Sequence, residues 1–500
     1  MAGKRAHLAL KTNIQERIPQ LTISPAATIR QTMQTIDAGG LGIALISDAS
    51  TQRFLGLVTD GDIRRALLKG LGLETPVSAV EHPASVTARI DMPREQIVQM
   101  FTESVRLVPV LDGHDRVVDL AVYDRRAHLP MAQPLLGERE LVYVTECILT
   151  GWISSAGRFV SEFERQCAEF CQVPYAVSTS NGTTALHLAL LALGIGPGNE
   201  VIVPTLTFIA SANAVTYTGA KPVFVDSEPV SWNLDPTTVE RAITPRTKAV
   251  MAVHLYGHPA DMDQLRAICT QHKLHLIEDA AEAFGATYHG RPVGSLSDIA
   301  IFSFYGNKII TTGEGGMVVT SGRKLAEKCR ILRDHGMSPQ RRYWHPVLGY
   351  NYRMTNLQAA VGVGQMEKIG GIVAAKRRIA ADYLNALARI PGVAIPAEPA
   401  GTKSVYWLMS VTIDPAIFGL GRDELMSILK DHGIDTRPVF PVLHRQPIYD
   451  TGLSLPIAEK ISAHGLSLPS DPSLTTSEIQ RVAEVLLRIH HEAVERRHPA

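Results

Sequence analysis

The residues best suited to chemistry lie in one run, Phe302-Ser303-Phe304-Tyr305-Gly306-Asn307-Lys308, followed by Ile309-Ile310-Thr311-Thr312-Gly313-Glu314-Gly315-Gly316. A lysine sits between an apolar, strand-like stretch and a glycine-rich turn, and a second apolar run, Met317-Val318-Val319, follows. Partial burial disfavours an ammonium ion, so an amine held this way is available as a nucleophile toward a carbonyl. Most lysines are solvated surface charges. The apolar flanks set Lys308 apart.

Three other segments carry residues of complementary type. Ser180-Asn181-Gly182-Thr183-Thr184 precedes an apolar helical run, 185–193. The free N–H groups and positive dipole end of such a helix start form a phosphate cradle, although the same residues would also make an ordinary N-cap. Leu274-His275-Leu276-Ile277-Glu278-Asp279-Ala280-Ala281-Glu282 reads as a buried strand with Asp279 at its carboxyl end. An aspartate there can pair with a protonated pyridine nitrogen and make the ring an electron sink. Glu278 and Glu282 also suit the start of a helix. The last segment, Gly349-Tyr350-Asn351-Tyr352-Arg353-Met354-Thr355-Asn356, is a polar, aromatic loop running into a helix with small residues.

Bringing these segments together requires a sheet. Strand-like runs at 200–204, 221–226 and 249–253 alternate with helical stretches, the pattern of a mostly parallel sheet with helices on both faces. Ligands gather at the carboxyl ends of such strands. A long helical segment over 372–387 leads toward a smaller domain. The expected organisation is a tail over 1–17, a repeated α/β unit over 18–128, a large domain over 129–375 and a small domain over 376–500, with 130–134 as linker. The repeat is visible in 42–62, a strand, turn, strand and helix start, and again in 106–126.

Composition narrows the function classes. The 500 residues exceed one ordinary domain. Lys+Arg and Asp+Glu both total 49, so net charge gives no reason to expect nucleic-acid or membrane-surface binding. Small molecules and further copies of the chain are the expected partners. Five cysteines without a Cys-x-x-Cys pair read as reduced, cytoplasmic usage, and no metal site is expected. The apolar run after the basic N-terminus, Leu8-Ala9-Leu10, is too short for a secretory signal.

Together the four segments resemble the DegT/DnrJ/EryC1/StrS sugar aminotransferases, which have the type I fold of enzymes dependent on pyridoxal 5′-phosphate (PLP). Gly151-Trp152-Ile153-Ser154-Ser155-Ala156-Gly157 and Pro204-Thr205-Leu206-Thr207-Phe208 extend the resemblance from about Leu135 onward. Gly306-Asn307-Lys308, Arg342-Tyr343-Trp344-His345 and Arg437-Pro438-Val439-Phe440 are similar to the perosamine-forming branch.

The resemblance implies that Lys308 is the Schiff-base lysine and Asp279 the partner of the pyridine nitrogen. Glu282 would lie near the ring hydroxyl, and Gly182, Thr183, Thr184 and Ser303 would hold the phosphate. Phe208 would stack on the ring, where many relatives have tryptophan. Asn351 would reach the phosphate of a neighbouring subunit, implying a homodimer with shared sites. His335, Arg342, His345 and Arg437 would face the substrate diphosphate. The implied reaction moves an amino group from L-glutamate to a GDP-, UDP- or dTDP-linked 4-keto-6-deoxyhexose. Amination at carbon 3, a 3-dehydratase and a non-catalytic nucleotide-sensing regulator are the alternatives. Related dehydratases replace the lysine by histidine, which Lys308 opposes.

The N-terminal half resembles a pair of CBS domains, modules that bind adenine nucleotides, on the motif Gly56-Leu57-Val58-Thr59-Asp60-Gly61-Asp62. There Thr59 and Asp62 would hold phosphate and ribose, or simply cap the helix. Ala121 stands where the second copy should have its hydroxyl, so at most one site is expected.

Overall fold

The computed structural model describes residues 18–81, 85–93, 96–97, 100–102, 105, 107–122 and 128–497. The expected tail over 1–17, Arg106 and the segment 123–126 lie outside the described residues. The chain divides into two compact units, Met1–Leu129 and Pro130–Ala500.

The first unit carries its repeat in its hydrogen bonding. Strands β1 (Thr22–Ile23), β2 (Ile43–Ser47) and β3 (Phe54–Thr59) form one sheet, and β4 (Ala88–Arg89), β5 (Leu107–Leu111) and β6 (Val117–Val122) form another. In each, a short strand runs parallel to the middle strand, which pairs antiparallel with the third. Even the register irregularity recurs, between Ile46 and Ser47 and between Val110 and Leu111. Leu21, Ile43, Leu45 and Leu120 form one buried cluster drawn from both copies.

The second unit is built on a seven-stranded sheet. Its strands are β7 (Tyr175–Thr179), β8 (Glu200–Pro204), β9 (Lys221–Val225), β10 (Thr247–Val253), β11 (His275–Asp279), β14 (Ile299–Ser303) and β15 (Gly316–Thr320), in the order β7-β15-β14-β11-β10-β8-β9. The hairpin strands β12 (Thr287–Tyr288) and β13 (Arg291–Pro292) lie outside it, with β17 (Thr402–Lys403). Pairing is parallel from β9 through β8, β10 and β11 to β14. Only β15 runs against the rest. The central strands are buried except for Lys248 and His275 near the amino ends of β10 and β11, the nearly continuous apolar reading of a sheet covered on both faces. The helix Gly182–Ala192 is apolar almost all round and correspondingly buried.

A smaller antiparallel sheet, β16 (Val393–Ala394), β18 (Met409–Ile413), β20 (Gly465–Leu468) and β19 (Arg437–Pro438), follows the helix Ile369–Leu387. That helix starts three residues before the expected 372 and runs straight through the expected small-domain start at Lys376. The expected linker is folded into the second unit: the Ser470 N–H donates to the Met131 carbonyl (2.8 Å) and the Gln133 N–H to Asp471 Oδ2 (2.6 Å).

Candidate active site

β7, β8, β10, β11 and β14 deliver their carboxyl ends to one edge of the sheet, and β15 delivers its amino end to the same edge. Asp279 ends β11, and Lys308 follows β14 by five residues, in the turn before β15. Lys308 Nζ lies 3.8 Å from Glu282 Oε1, with both side chains nearly buried. Burial pushes the Lys308 amine below its ordinary range, against the pull of Glu282 and Asp279. Burial also raises Glu282 to about 7 and raises Asp279, in each case against the attraction of Lys308. Low water content thus moves an amine and two carboxyls toward one another on the pH scale.

Each carboxyl is held in place. Asp279 Oδ2 accepts the Ser211 hydroxyl (2.7 Å), Ser211 is in turn 3.1 Å from the Thr207 hydroxyl, and Asp279 Oδ1 accepts the Ala281 N–H (3.2 Å). Glu282 Oε2 accepts the Tyr256 N–H at 2.7 Å. Tyr256 presents that N–H from a left-handed backbone, φ 51°, uncommon for a residue with a bulky side chain. Glu278, by contrast, binds fully buried His254 (3.1 Å) and the N–H groups of Gly294 and Leu296. His254 Nδ1 accepts the Ala260 N–H, so its Nε2 carries the proton toward Glu278. This pair holds the loop behind Asp279.

The phosphate-cradle segment opens the helix Gly182–Ala192. Asn181 and Thr184 form a reciprocal capping box, Thr184 N–H to Asn181 Oδ1 (2.9 Å) and Asn181 N–H to Thr184 Oγ1 (3.2 Å). Thr184 is therefore occupied in closing the helix. Gly182 and Ser303 lie against each other: a Cβ on Gly182 would sit 2.8 Å from Ser303 Cβ. Gly316 faces a similar limit, since its Cβ would fall 2.3 Å from the Asn181 carbonyl oxygen. Thr183 is half-buried in the first turn.

An aromatic series borders the site. Phe208 is 55% exposed, with its ring 5.8 Å from Phe440. Phe440 stacks on Tyr256 (5.2 Å, 16°), and Tyr256 on Trp407 (6.1 Å, 16°). Lys308 Nζ lies over the Trp407 ring, 3.7 Å from its centroid. Sequence reasoning missed Ser211, Tyr256 and Trp407. The only local signals were a hydroxyl after the Pro204-Thr205-Leu206-Thr207-Phe208 motif and an aromatic pair, Tyr406-Trp407, before β18.

The other expected residues are grouped differently. His335 and His345 share a loop, in which His345 Nδ1 donates to the His335 carbonyl (2.9 Å) and Arg342 lies 4.9 Å from the Tyr343 ring centroid. Asn351 is exposed and bridges Asp334 through its backbone. Arg437 is exposed on the edge strand β19. Among the described residues, none of these five hydrogen-bonds to Lys308, Asp279 or Glu282. In the first unit, Thr59 and Asp62 close on each other: Asp62 Oδ2 accepts the Thr59 N–H (2.8 Å) and hydroxyl (2.7 Å), while Arg65 pairs with its other oxygen. Both residues thus act as a helix cap.

Residues 134–487 match the DegT/DnrJ/EryC1/StrS aminotransferase family. The chain is 50% identical over 361 residues to the GDP-perosamine synthase of Caulobacter vibrioides (strain ATCC 19089 / CIP 103742 / CB 15), covering 72% of this chain and 97% of that one. It is 47% identical over 358 residues to the GDP-perosamine synthase of Escherichia coli O157:H7, covering 71% and 97%. The crystal structure of DesI in the presence of its TDP-sugar product superposes with a TM-score of 0.69 at 35% identity, covering 74% of this chain and 96% of that one. A nearly buried lysine 3.8 Å from Glu282 and within the field of Asp279, at the carboxyl edge of a mostly parallel sheet, agrees with a family match over residues 134–487: the chain belongs to the DegT/DnrJ/EryC1/StrS aminotransferase family and is a PLP-dependent sugar aminotransferase.

Proposed function

We propose that this enzyme transfers the amino group of L-glutamate to the ketone of a nucleotide-linked 4-keto-6-deoxyhexose, GDP-linked in the first instance. The observation that carries the reading is Lys308, a nearly buried amine 3.8 Å from Glu282 and within the field of Asp279. The residues present fit PLP: Gly182, lacking a Cβ, lets the start of its helix approach Ser303 closely, so that helix N–H groups and a hydroxyl lie together for a phosphate, and Asp279 offers a fixed, buried carboxylate. When bound, the cofactor supplies an aldehyde that condenses with amines and a ring that accepts electrons.

Lys308, its ammonium disfavoured by burial, is the nucleophile toward a carbonyl and, once displaced by the donor, the base that carries a proton between adjacent carbons. Asp279, held by Ser211 and Ala281, orients and keeps charge opposite a ring nitrogen. Gly182, Thr183 and Ser303 bind phosphate at the helix start, with Thr184 shaping that start as a cap residue. Phe208 offers its exposed face to the ring. His335, Arg342, His345 and Arg437 supply cationic or hydrogen-bonding groups toward the diphosphate.

The test is an absorbance spectrum of the protein with PLP, before and after L-glutamate, beside Lys308→Ala. A lysine-bound cofactor band that glutamate converts, and that Lys308→Ala lacks, supports the reading; a band indifferent to the mutation ends it. Product formation from GDP-linked over UDP- and dTDP-linked keto-sugars then decides the nucleotide, and parallel initial-rate plots are expected for two half-reactions.

The working form proposed is a cytoplasmic homodimer in which Asn351 reaches its neighbour's site. All five cysteines are free and buried, and no described helix is long and apolar enough to cross a membrane. For the first unit we propose adenine-nucleotide binding in a cleft of about 440 Å³ lined by Asp62, Arg65, Lys69 and Leu71. Calorimetric heat with AMP or ATP that Arg65→Ala abolishes supports this, and no heat removes it.

A further inference from the structure

Lys308 has a third neighbour besides its two carboxylates. Its Nζ lies 3.7 Å from the centroid of the Trp407 ring, over the face. Trp407 is 4% exposed, so this contact is shielded from water. The same indole donates its Nε1–H to the carbonyl of Asn307, the residue preceding the lysine, at 2.7 Å. One side chain therefore touches both the reacting amine and the backbone that carries it.

Trp407 is itself held from several directions. Its N–H donates to the Tyr256 carbonyl at 3.0 Å, its ring stacks on Tyr256, and its carbonyl accepts Lys376 Nζ at 2.9 Å. Lys376 is buried and also bonds the Ser470 carbonyl. A core tryptophan that merely filled space would not require its indole N–H on the lysine turn and its face on the amine.

We propose that Trp407 is the positioning residue for Lys308, its ring face holding the ammonium form of the amine and its indole N–H fixing the turn that carries it. The inference rests on Lys308 being the reacting amine. The physical logic is a division of labour. A quadrupolar ring face attracts a cation and is nearly indifferent to a neutral amine. It therefore opposes burial, which favours the neutral form, and gives the displaced lysine one resting place from which to return its proton. The indole N–H acts on the backbone whatever the charge on the amine. The charged groups facing Nζ are Glu282 and Asp279, both on the β11 side, and Trp407 approaches from the segment before β18.

The experiment titrates Lys308 itself in the full-length, cofactor-free chain, by trace acetylation across pH and mass spectrometry of its peptide. All four tryptophans are replaced by mono-, di- and trifluorotryptophan, which drain the ring face while nearly preserving its shape. The Lys308 pKa is expected to fall stepwise, by about half to one and a half units in all. Trp407→Phe, which keeps a face and loses the N–H, should leave the pKa closer to the unmodified value than Trp407→Leu, while lowering kcat. A Lys308 pKa unmoved by fluorination, or equal in the Phe and Leu variants, overturns the proposal. The fluorinated series keeps the test decisive should Trp407→Leu fail to fold. If Lys308→Ala retained the donor half-reaction, the reading of the site would fall, while this titration would still report on Trp407.

Discussion

Glu282 reaches two partners at once: one carboxylate oxygen lies 3.8 Å from Lys308 Nζ, and the other accepts the Tyr256 N–H at 2.7 Å. Its carboxyl is raised to about 7 by burial, against an ordinary 4.5. The folded chain therefore retains a proton that the unfolded chain releases as pH rises from 4.5 to 7. Stability of the cofactor-free protein is greater below that window and is lost through it, by on the order of 3 kcal/mol. Glu282→Gln can still accept the Tyr256 N–H but has no proton to release. Denaturation midpoints at pH 5 and pH 8 should thus fall more in the natural chain than in the variant, and the Lys308 pKa should drop further without the anion. Identical pH dependences would remove Glu282 from this role.

Ser211 is the hydroxyl that lowers the pKa of an otherwise water-poor Asp279. Ser211→Ala leaves a buried carboxylate oxygen without that donor, at a cost of about 1–3 kcal/mol. Asp279 should then ionise less readily, and PLP should dissociate several-fold more easily in equilibrium dialysis. Unchanged retention with lowered stability would make the Thr207–Ser211 pair structural only.

Gly182→Ala sets two effects against each other. Alanine favours a helix by roughly 1 kcal/mol over glycine, but here its Cβ would meet Ser303 Cβ at 2.8 Å and Ser303 Oγ at 3.2 Å. The crowding is local to the cradle, so the expected result is a protein of near-normal stability that holds PLP at least about tenfold more weakly, some 1.4 kcal/mol. Ser303→Gly removes the clashing atoms together with a phosphate donor, so the double variant should hold PLP more tightly than the two single losses added together predict. Strictly additive losses would mean that the glycine is needed for its backbone and not for the close approach.

Lys308, Asp279 and Gly182 were legible because each sits in a local run whose type and order announce it. Trp407 was not, since it bonds Asn307 across 100 residues and its neighbours read as an ordinary buried strand. Ser211 and Tyr256 are equally silent, the first a small polar residue in a helix and the second defined by a left-handed backbone. The reversed direction of β15 has no mark in Gly316–Thr320, which is as buried and apolar as its parallel neighbours. Gly370 and Gly371, poor helix formers, hid the start of the helix Ile369–Leu387. Thr59 and Asp62 illustrate a deeper ambiguity: a hydroxyl and a carboxylate at a helix start serve a cap or a ligand with the same residue types, and the cap bonds they make with each other are visible only in the folded chain.

The proposed dimer makes the last prediction. The helix Glu138–Thr150 buries Glu140 and Cys147 on one side and leaves Leu141, Ile148 and Leu149 exposed on another, Leu149 by 81%. Positions 141, 148 and 149 lie along one helical stripe, and exposed Trp152 and Ile153 follow it. This apolar ridge is the proposed interface. Leu149→Asp should shift sedimentation toward the monomer and reduce activity together. Sharing of sites makes a sharper demand. Lys308→Ala and Asn351→Asp chains, each inactive alone, should regain about a quarter of full activity when co-expressed, because half the dimers are hybrids and each hybrid has one intact site. Mixed chains no more active than either parent would place Asn351 in its own subunit's chemistry or outside the chemistry altogether.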